Sequence, residues 1–146
     1  MPTLGLTLKE VSPKPSLIPQ RKILLVDRET RDRELYSLNL RERGLAVRAC
    51  SSFEEGARWL ELETYDLVIV DQGGPEFEGK VIAARSVHKD PRVPVLVITR
   101  HHHMPAYIEA MHLGAADYME KPIPIHNLLW RIDNYLPPRW AMGKAN

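Results

Sequence analysis

Three short apolar runs and one short strand segment in this chain each lead into polar residues able to do chemistry. Lys22–Val26 (KILLV) runs into Asp27-Arg28-Glu29, and Leu67–Val70 (LVIV) into Asp71. Val95–Ile98 (VLVI) runs into Thr99-Arg100, and Ala116–Met119 is followed by Glu120-Lys121-Pro122. A carboxylate can act as a nucleophile or bind a hard cation through oxygen. A hydroxyl can donate to an anionic oxygen, and an ammonium can neutralise one. Taken singly, each of these residues is more commonly a helix N-cap or a solvated loop charge. Together they carry more weight, because strand ends that share a rim bring their side chains to one place.

The elements that must position them alternate along the chain. The short apolar runs have the length and continuity of strands buried on both faces, and Leu45–Cys50 and Ala116–Met119 add two more strands. Between them lie helical segments. Glu29–Arg43 ends at Gly44, and Ser52-Phe53-Glu54-Glu55 matches a capping box. Gly79–Val87 is a third helix, and Pro105 suits the first turn of a fourth that Gly114 closes. Ile125, Leu128, Leu129, Ile132 and Leu136 form a helical stripe. Five strands alternating with five helices imply a parallel sheet with right-handed crossovers, a three-layer α/β sandwich. In such sheets a ligand site lies beyond the carboxyl ends of the strands.

Composition narrows the function. The 146 residues suffice for one ordinary domain, placed at 21–136. Residues 1–20, with four prolines, are expected to form a flexible extension, and 137–146 a short tail. Twenty basic and nineteen acidic residues leave a net charge of +1, which argues against direct nucleic-acid binding or a charged membrane surface. No apolar run is long enough to span a bilayer and no signal peptide is legible, so a cytoplasmic location is expected. The single Cys50 excludes an internal disulfide and reads as a buried filler. His101-His102-His103 reads as a surface loop rather than a zinc site, and Trp59 and Trp130 as core residues.

The segments LLVDRE (24–29), YDLVIVDQGGPEFEG (65–79), PVLVIT (94–99) and GAADYMEKP (114–122) resemble the receiver domain of two-component response regulators. The pattern Asp71-x-x-x-Pro75-x-x-x-Gly79 and the Gly-Ala…Asp-Tyr…Lys-Pro pattern are specific in combination. The resemblance covers about Lys22 to Leu136 and implies a flavodoxin-like sheet of order 2-1-3-4-5. It implies that Asp71 accepts a phosphoryl group from a histidine kinase or phosphotransfer protein, making this a phosphoacceptor signalling domain rather than a turnover enzyme. It assigns Lys121 to pair with the carboxylate or phosphoryl group and Thr99 to donate to a phosphoryl oxygen. Tyr118 is the switch aromatic that moves inward, and the Lys121–Pro122 bond is cis. Mg²⁺ is the implied cofactor, held by Asp27, Asp71 and the Gly73 carbonyl, with Glu29 a further candidate.

The chain departs from the family pattern at Arg28, where a second acid is usual. A guanidinium has only donors and cannot ligate Mg²⁺, so metal binding is expected to be weakened. Arg28 either occupies the metal's place and pairs with Asp71 or Asp27, lowering the Asp71 pKa, or turns outward and leaves Glu29 as substitute ligand. Gly73-Gly74 is expected to loosen the loop, and Arg100 either crowds the pocket, pairs with phosphate or is solvated. Only ten residues follow Leu136, so output is expected by protein contact through the fourth helix, fifth strand and fifth helix, to a downstream protein or a second copy. The rival reading is a degenerate receiver acting as a constitutive interaction module. A flavin- or cobalamin-binding protein of the same fold is disfavoured by the charged turn after the first strand.

Overall fold

The computed structural model describes residues 20–137. The order is β1 (Lys22–Val26), α1 (Thr30–Glu42), β2 (Ala46–Cys50), α2 (Phe53–Leu62), β3 (Leu67–Asp71), α3 (Lys80–Lys89), β4 (Val95–Thr99), α4 (Met104–Leu113), β5 (Asp117–Glu120) and α5 (Ile125–Tyr135). All strand pairs are parallel, in the order β2-β1-β3-β4-β5. The expected doubly wound sheet is therefore present. Readings that fall on residues 1–19 and 138–146, the flexible extension and most of the tail, lie outside the described residues.

The side-chain period of two sorts the strands into two cores. Leu24, Val26, Val68, Val70, Val95 and Val97 face Leu60 of α2, Ile82 and Ala83 of α3, and Ala106 and Ala110 of α4. Ile23, Leu25, Leu67, Ile69, Leu96 and Ile98 face Tyr36 and Leu40 of α1, and Leu128 and Ile132 of α5. β3 and β4 are buried throughout because helices cover both faces, whereas the edge strands β2 and β5 keep partly exposed positions.

Local sequence explains the ends. The Ser52 side chain accepts from the Glu55 N–H at 3.1 Å, and Glu55 Oε1 accepts from the Ser51 N–H at 3.3 Å. This is the capping box, with its return bond one residue earlier than the ideal. Gly114 closes α4 at φ 103°, a left-handed value that costs glycine little. α3 runs on to Lys89 and stops before Pro91. Cys50 is buried and its thiol pKa is raised to about 11 by burial, in keeping with a filler role.

Trp130 corrects one expectation. It is 63% exposed on α5, because Leu128 and Ile132 already occupy the inward face. Trp59 does pack against the first core, with the Arg48 guanidinium 3.6 Å above its ring.

Candidate functional site

The register sets the site. Val26 pairs with Val70, Asp71 with Ile98 and Thr99 with Glu120, so the strands end nearly flush. Asp27, Asp71, Thr99 and Lys121 consequently meet at one rim, and all four are buried. The structure therefore brings the chemistry-bearing residues together as expected.

Lys121 is the hub. Its backbone N–H donates to Thr99 O at 2.6 Å, and the Lys121–Pro122 bond is cis. Its Nζ donates to Asp27 Oδ2 at 2.9 Å and also pairs with Asp32 Oδ2 at 2.9 Å and Glu29 Oε1 at 3.3 Å. Burial works against the ammonium charge, but Asp27 and Asp32 outweigh it and hold the Lys121 pKa above its ordinary value. Lys121 thus forms ion pairs with the β1–α1 turn and reaches Asp71 only as a nearby charge. Asp27 Oδ1 accepts from the Glu29 N–H at 3.0 Å, fixing the turn. Burial raises the Asp27 pKa, with Lys121 offsetting part of the effect.

Asp71 is 6% exposed at the end of β3, and its Oδ1 accepts from the Gly73 N–H at 3.3 Å. Arg28 Nε lies 3.9 Å from Asp71 Oδ2, while the guanidinium leans over the Phe53 ring, 5.1 Å from its centroid. Arg28 is half exposed. It sits at the mouth, within reach of Asp71 but not inserted between the acids. The expectation that pairing with Arg28 lowers the Asp71 pKa is overturned. Burial, followed by the Asp27 charge, raises it, and a guanidinium at 3.9 Å on a wet rim is too weak to reverse them.

Arg100 neither crowds Asp71 nor stands free. It forks onto Glu29 at 2.8 Å and Asp32 at 2.7 Å, tying the β4–α4 loop to the start of α1. The fork engages Glu29, whose pKa falls to about 2 chiefly through the Arg100 hydrogen bond. Arg28, Glu29, Asp71, Gly73, Arg100 and His101 line an open cleft of about 390 Å³. Thr99 Oγ1 donates to His101 O at 2.9 Å and accepts from the His101 N–H at 3.1 Å. Tyr118 OH donates to Gln72 Oε1 and accepts from the His103 N–H at 3.3 Å.

Three contributors escaped the sequence reading. Asp32 was legible only as an acid in the first turn of α1. Gln72 gave no signal at all. Glu78 corrects the expectation of a loose glycine loop, since its Oε1 accepts from the Gly74 N–H at 2.6 Å. Gly79 is needed for close approach, because a Cβ there would collide with Asp71 O.

The donors left for a divalent cation are few. Glu29 is shared between Arg100 and Lys121, Asp27 is held by Lys121 and the Glu29 N–H, and Arg28 supplies no lone pair. No group of three His, Cys, Asp or Glu side chains able to hold a metal occurs among the described residues. By donor chemistry alone, the Asp71 carboxylate and the Gly73 carbonyl are oxygen groups that could hold a largely hydrated Mg²⁺, an ion that commonly keeps several waters and takes one or two carboxylates. The three histidines form a loop in which His102 packs against Tyr107 and Tyr118, with centroids 6.2 and 5.5 Å away.

The model of the response regulator receiver domain family matches residues 23–133. The chain is 32% identical over 114 residues to the transcriptional regulatory protein GlrR of Escherichia coli, covering 78% of this chain and 26% of that protein. It is 29% identical over 109 residues to the response regulator protein PilR of Pseudomonas aeruginosa, covering 75% of this chain and 24% of that protein. The chain thus spans about a quarter of the length of these curated relatives. Among solved structures, a CheY-like response regulator receiver domain protein from Methanospirillum hungatei superposes with a TM-score of 0.76 at 24% identity, covering 81% of this chain and 94% of that one. A response regulator receiver domain protein from Clostridium thermocellum superposes with a TM-score of 0.71 at 28% identity, covering 84% of this chain and 98% of that one.

Proposed function

The chain belongs to the response regulator receiver family of two-component signalling, and from that premise we propose that it accepts a phosphoryl group on Asp71 from a histidine kinase or phosphotransfer protein. The carrying observation is the position of Asp71: buried at the end of β3, with a raised pKa, and lining the open cleft. A raised pKa goes with a more basic carboxylate oxygen. That oxygen attacks the phosphorus of a phosphohistidine. The new O–P bond forms as the N–P bond breaks, and the imidazole leaves with its electron pair and takes up a proton.

The rest of the rim supplies positioning and charge. Lys121 carries its positive charge beneath the acids, where Asp27 and Asp32 fix its direction. Arg28 stands at the mouth as a second cation within reach of an incoming phosphoryl group. Thr99 must release its loop bonds to His101 before its hydroxyl can serve a phosphoryl oxygen. Mg²⁺, held by Asp71 and the Gly73 carbonyl, would neutralise phosphoryl oxygens. Output runs through the surface of α4, β5 and α5 to a downstream protein or a second copy. Such signalling by a domain with no membrane-spanning helix among its described residues suits the cytoplasm.

The test is exposure of the purified chain to a small phosphodonor such as acetyl phosphate, with Mg²⁺. Wild type is expected to gain an acid-stable, base-labile label that Asp71→Asn lacks while keeping the same circular dichroism and thermal midpoint. Label retained by Asp71→Asn rules out Asp71 as the acceptor.

A further inference from the structure

The residue after Asp71 is Gln72, a side chain 1% exposed in a strand-end position where every neighbour on β3 is apolar or the acceptor itself. Its backbone is fixed on both sides. The Gln72 N–H donates to Ile98 O at 2.7 Å, and Gln72 O accepts from the Gly79 N–H at 2.9 Å. Its amide is spent on two elements. Nε2 donates to Gly74 O at 3.0 Å, and Oε1 accepts from Tyr118 OH.

Tyr118 is caught from the other side as well. Its hydroxyl accepts from the His103 N–H at the start of α4, and its ring stands edge-on to Tyr107 and His102, with centroids 5.4 and 5.5 Å away. Turning the ring outward would break both hydroxyl bonds and leave Gln72 Oε1 buried without a partner. A buried amide oxygen so stranded is disfavoured. Thr99 Oγ1 donates to His101 O, accepts from the His101 N–H, and is also a side-chain hydrogen-bond partner of Tyr118. Beside Thr99, Gln72 gives the loop that follows Asp71 its own polar route to Tyr118.

We propose that Gln72 is a positioning residue that latches Tyr118 inward and ties it to the Gly73-Gly74 loop, so that α4 and β5 rest in one arrangement before any phosphoryl group arrives. The inference rests on the assignment of Asp71 as acceptor for its signalling meaning, though the latch itself is a property of the unmodified chain. A ligand can shift an equilibrium only by its differential affinity for the two states. A latch that already favours the inward state leaves a phosphoryl group little to change at α4 and β5. Loosening the latch should restore the response.

The experiment compares backbone amide chemical shifts in wild type, Gln72→Met, Tyr118→Phe and the double variant, each with and without beryllofluoride and Mg²⁺. Methionine keeps most of the glutamine volume and removes both amide bonds. Without the mimic, both single variants are expected to move the amides of Met104–Leu113 and Asp117–Glu120 in the same direction, and the double variant to add nothing further. With the mimic, these amides are expected to shift more in Gln72→Met than in wild type. A merely structural glutamine would lower the thermal midpoint without enlarging that response. The proposal is overturned if Gln72→Met leaves α4 and β5 unmoved, if the two single effects simply add, or if the mimic response is equal in both proteins. The amides of Gly73 and Thr99 report occupancy at Asp71 separately. If they ignore the mimic, the acceptor assignment fails, and the comparison without mimic still decides the latch.

Discussion

At the scale of single residues, charge placement governs the site. Arg28 stands where a direct metal-ligating acid is usual in the family, and it brings a positive charge within 3.9 Å of Asp71. Both effects oppose Mg²⁺. Arg28→Asp is expected to tighten Mg²⁺ by about tenfold or more, as one added carboxylate ligand and one removed cation would require. Titration followed by fluorescence or by the Gly73 amide measures this, and unchanged affinity would mean that Arg28 has no hold on the metal. Glu29 gives a pH signature. Its pKa is lowered to about 2 from 4.5, so its contribution to stability is full above 4.5 and is lost as pH falls through about 2. Urea midpoints measured from pH 5 to 2 should fall less steeply for Glu29→Gln than for wild type. Asp27, Asp71 and Thr99 were legible in the sequence because each directly follows an apolar run, and Lys121 because it stands before Pro122 just after the fifth strand segment. The direction of Arg28 was not, because it depends on the Phe53 ring from another element. Gln72 and Asp32 were invisible for the same reason: their partners Tyr118, Arg100 and Lys121 arrive from β4 and β5.

At the scale of elements, the loop from β3 to α3 decides whether Asp71 is held in place. Gly79 ends that loop, its N–H donates to Gln72 O at 2.9 Å, and an added Cβ would collide with Asp71 O and crowd Val70 Cγ2 at 3.2 Å. The obstacle is backbone, so no side-chain rotation relieves it. Gly79→Ala should cost about 1–3 kcal/mol, the usual penalty for overpacking, and should also slow labelling of Asp71. Chemical denaturation measures the first and phosphodonor kinetics the second. A variant with unaltered stability and unaltered rate would show that the loop can back away freely. Element identity was readable from sequence because parallel strands covered on both faces are continuous apolar runs, unlike the periodic helices around them. The one misplaced large side chain, Trp130, was misread because its residue type suggested a core position. Its place two residues after Leu128 turns it away from the inward stripe.

For the whole molecule, the open question is where a change at the rim is felt. Two cores clamp the sheet from either side, and the other helices expose one or two large apolar side chains each, Leu35 and Leu38 on α1 and Trp130 on α5 among them. On α4, Met104, Tyr107, Ile108 and Met111 are 54%, 37%, 49% and 39% exposed, at the spacing of one helical face. Its fully buried positions are the small Ala106 and Ala110, and Leu113 packs against the first core at the C-terminal end, so little apolar area holds the first two turns. A weakly held helix with an exposed apolar row, beside the Tyr118 latch and the exposed Trp130, is the part of the molecule best able to shift and to meet another protein. The net charge of +1 offers little repulsion to a second copy. With Tyr118 already latched inward, this face is expected to associate in the unmodified chain and to gain little from beryllofluoride. Ile108→Glu, which puts a carboxylate in the middle of the row, should lower the sedimentation coefficient at high protein concentration while leaving Asp71 labelling within about twofold of wild type, as an exposed site away from the cleft allows. Trp130→Ala should weaken the same association by a smaller amount, since it lies on α5 at the edge of the row. Were Ile108→Glu to associate like wild type, self-contact would have to be sought elsewhere. Were it to lose labelling as well, α4 would be part of the phosphoacceptor machinery rather than its readout.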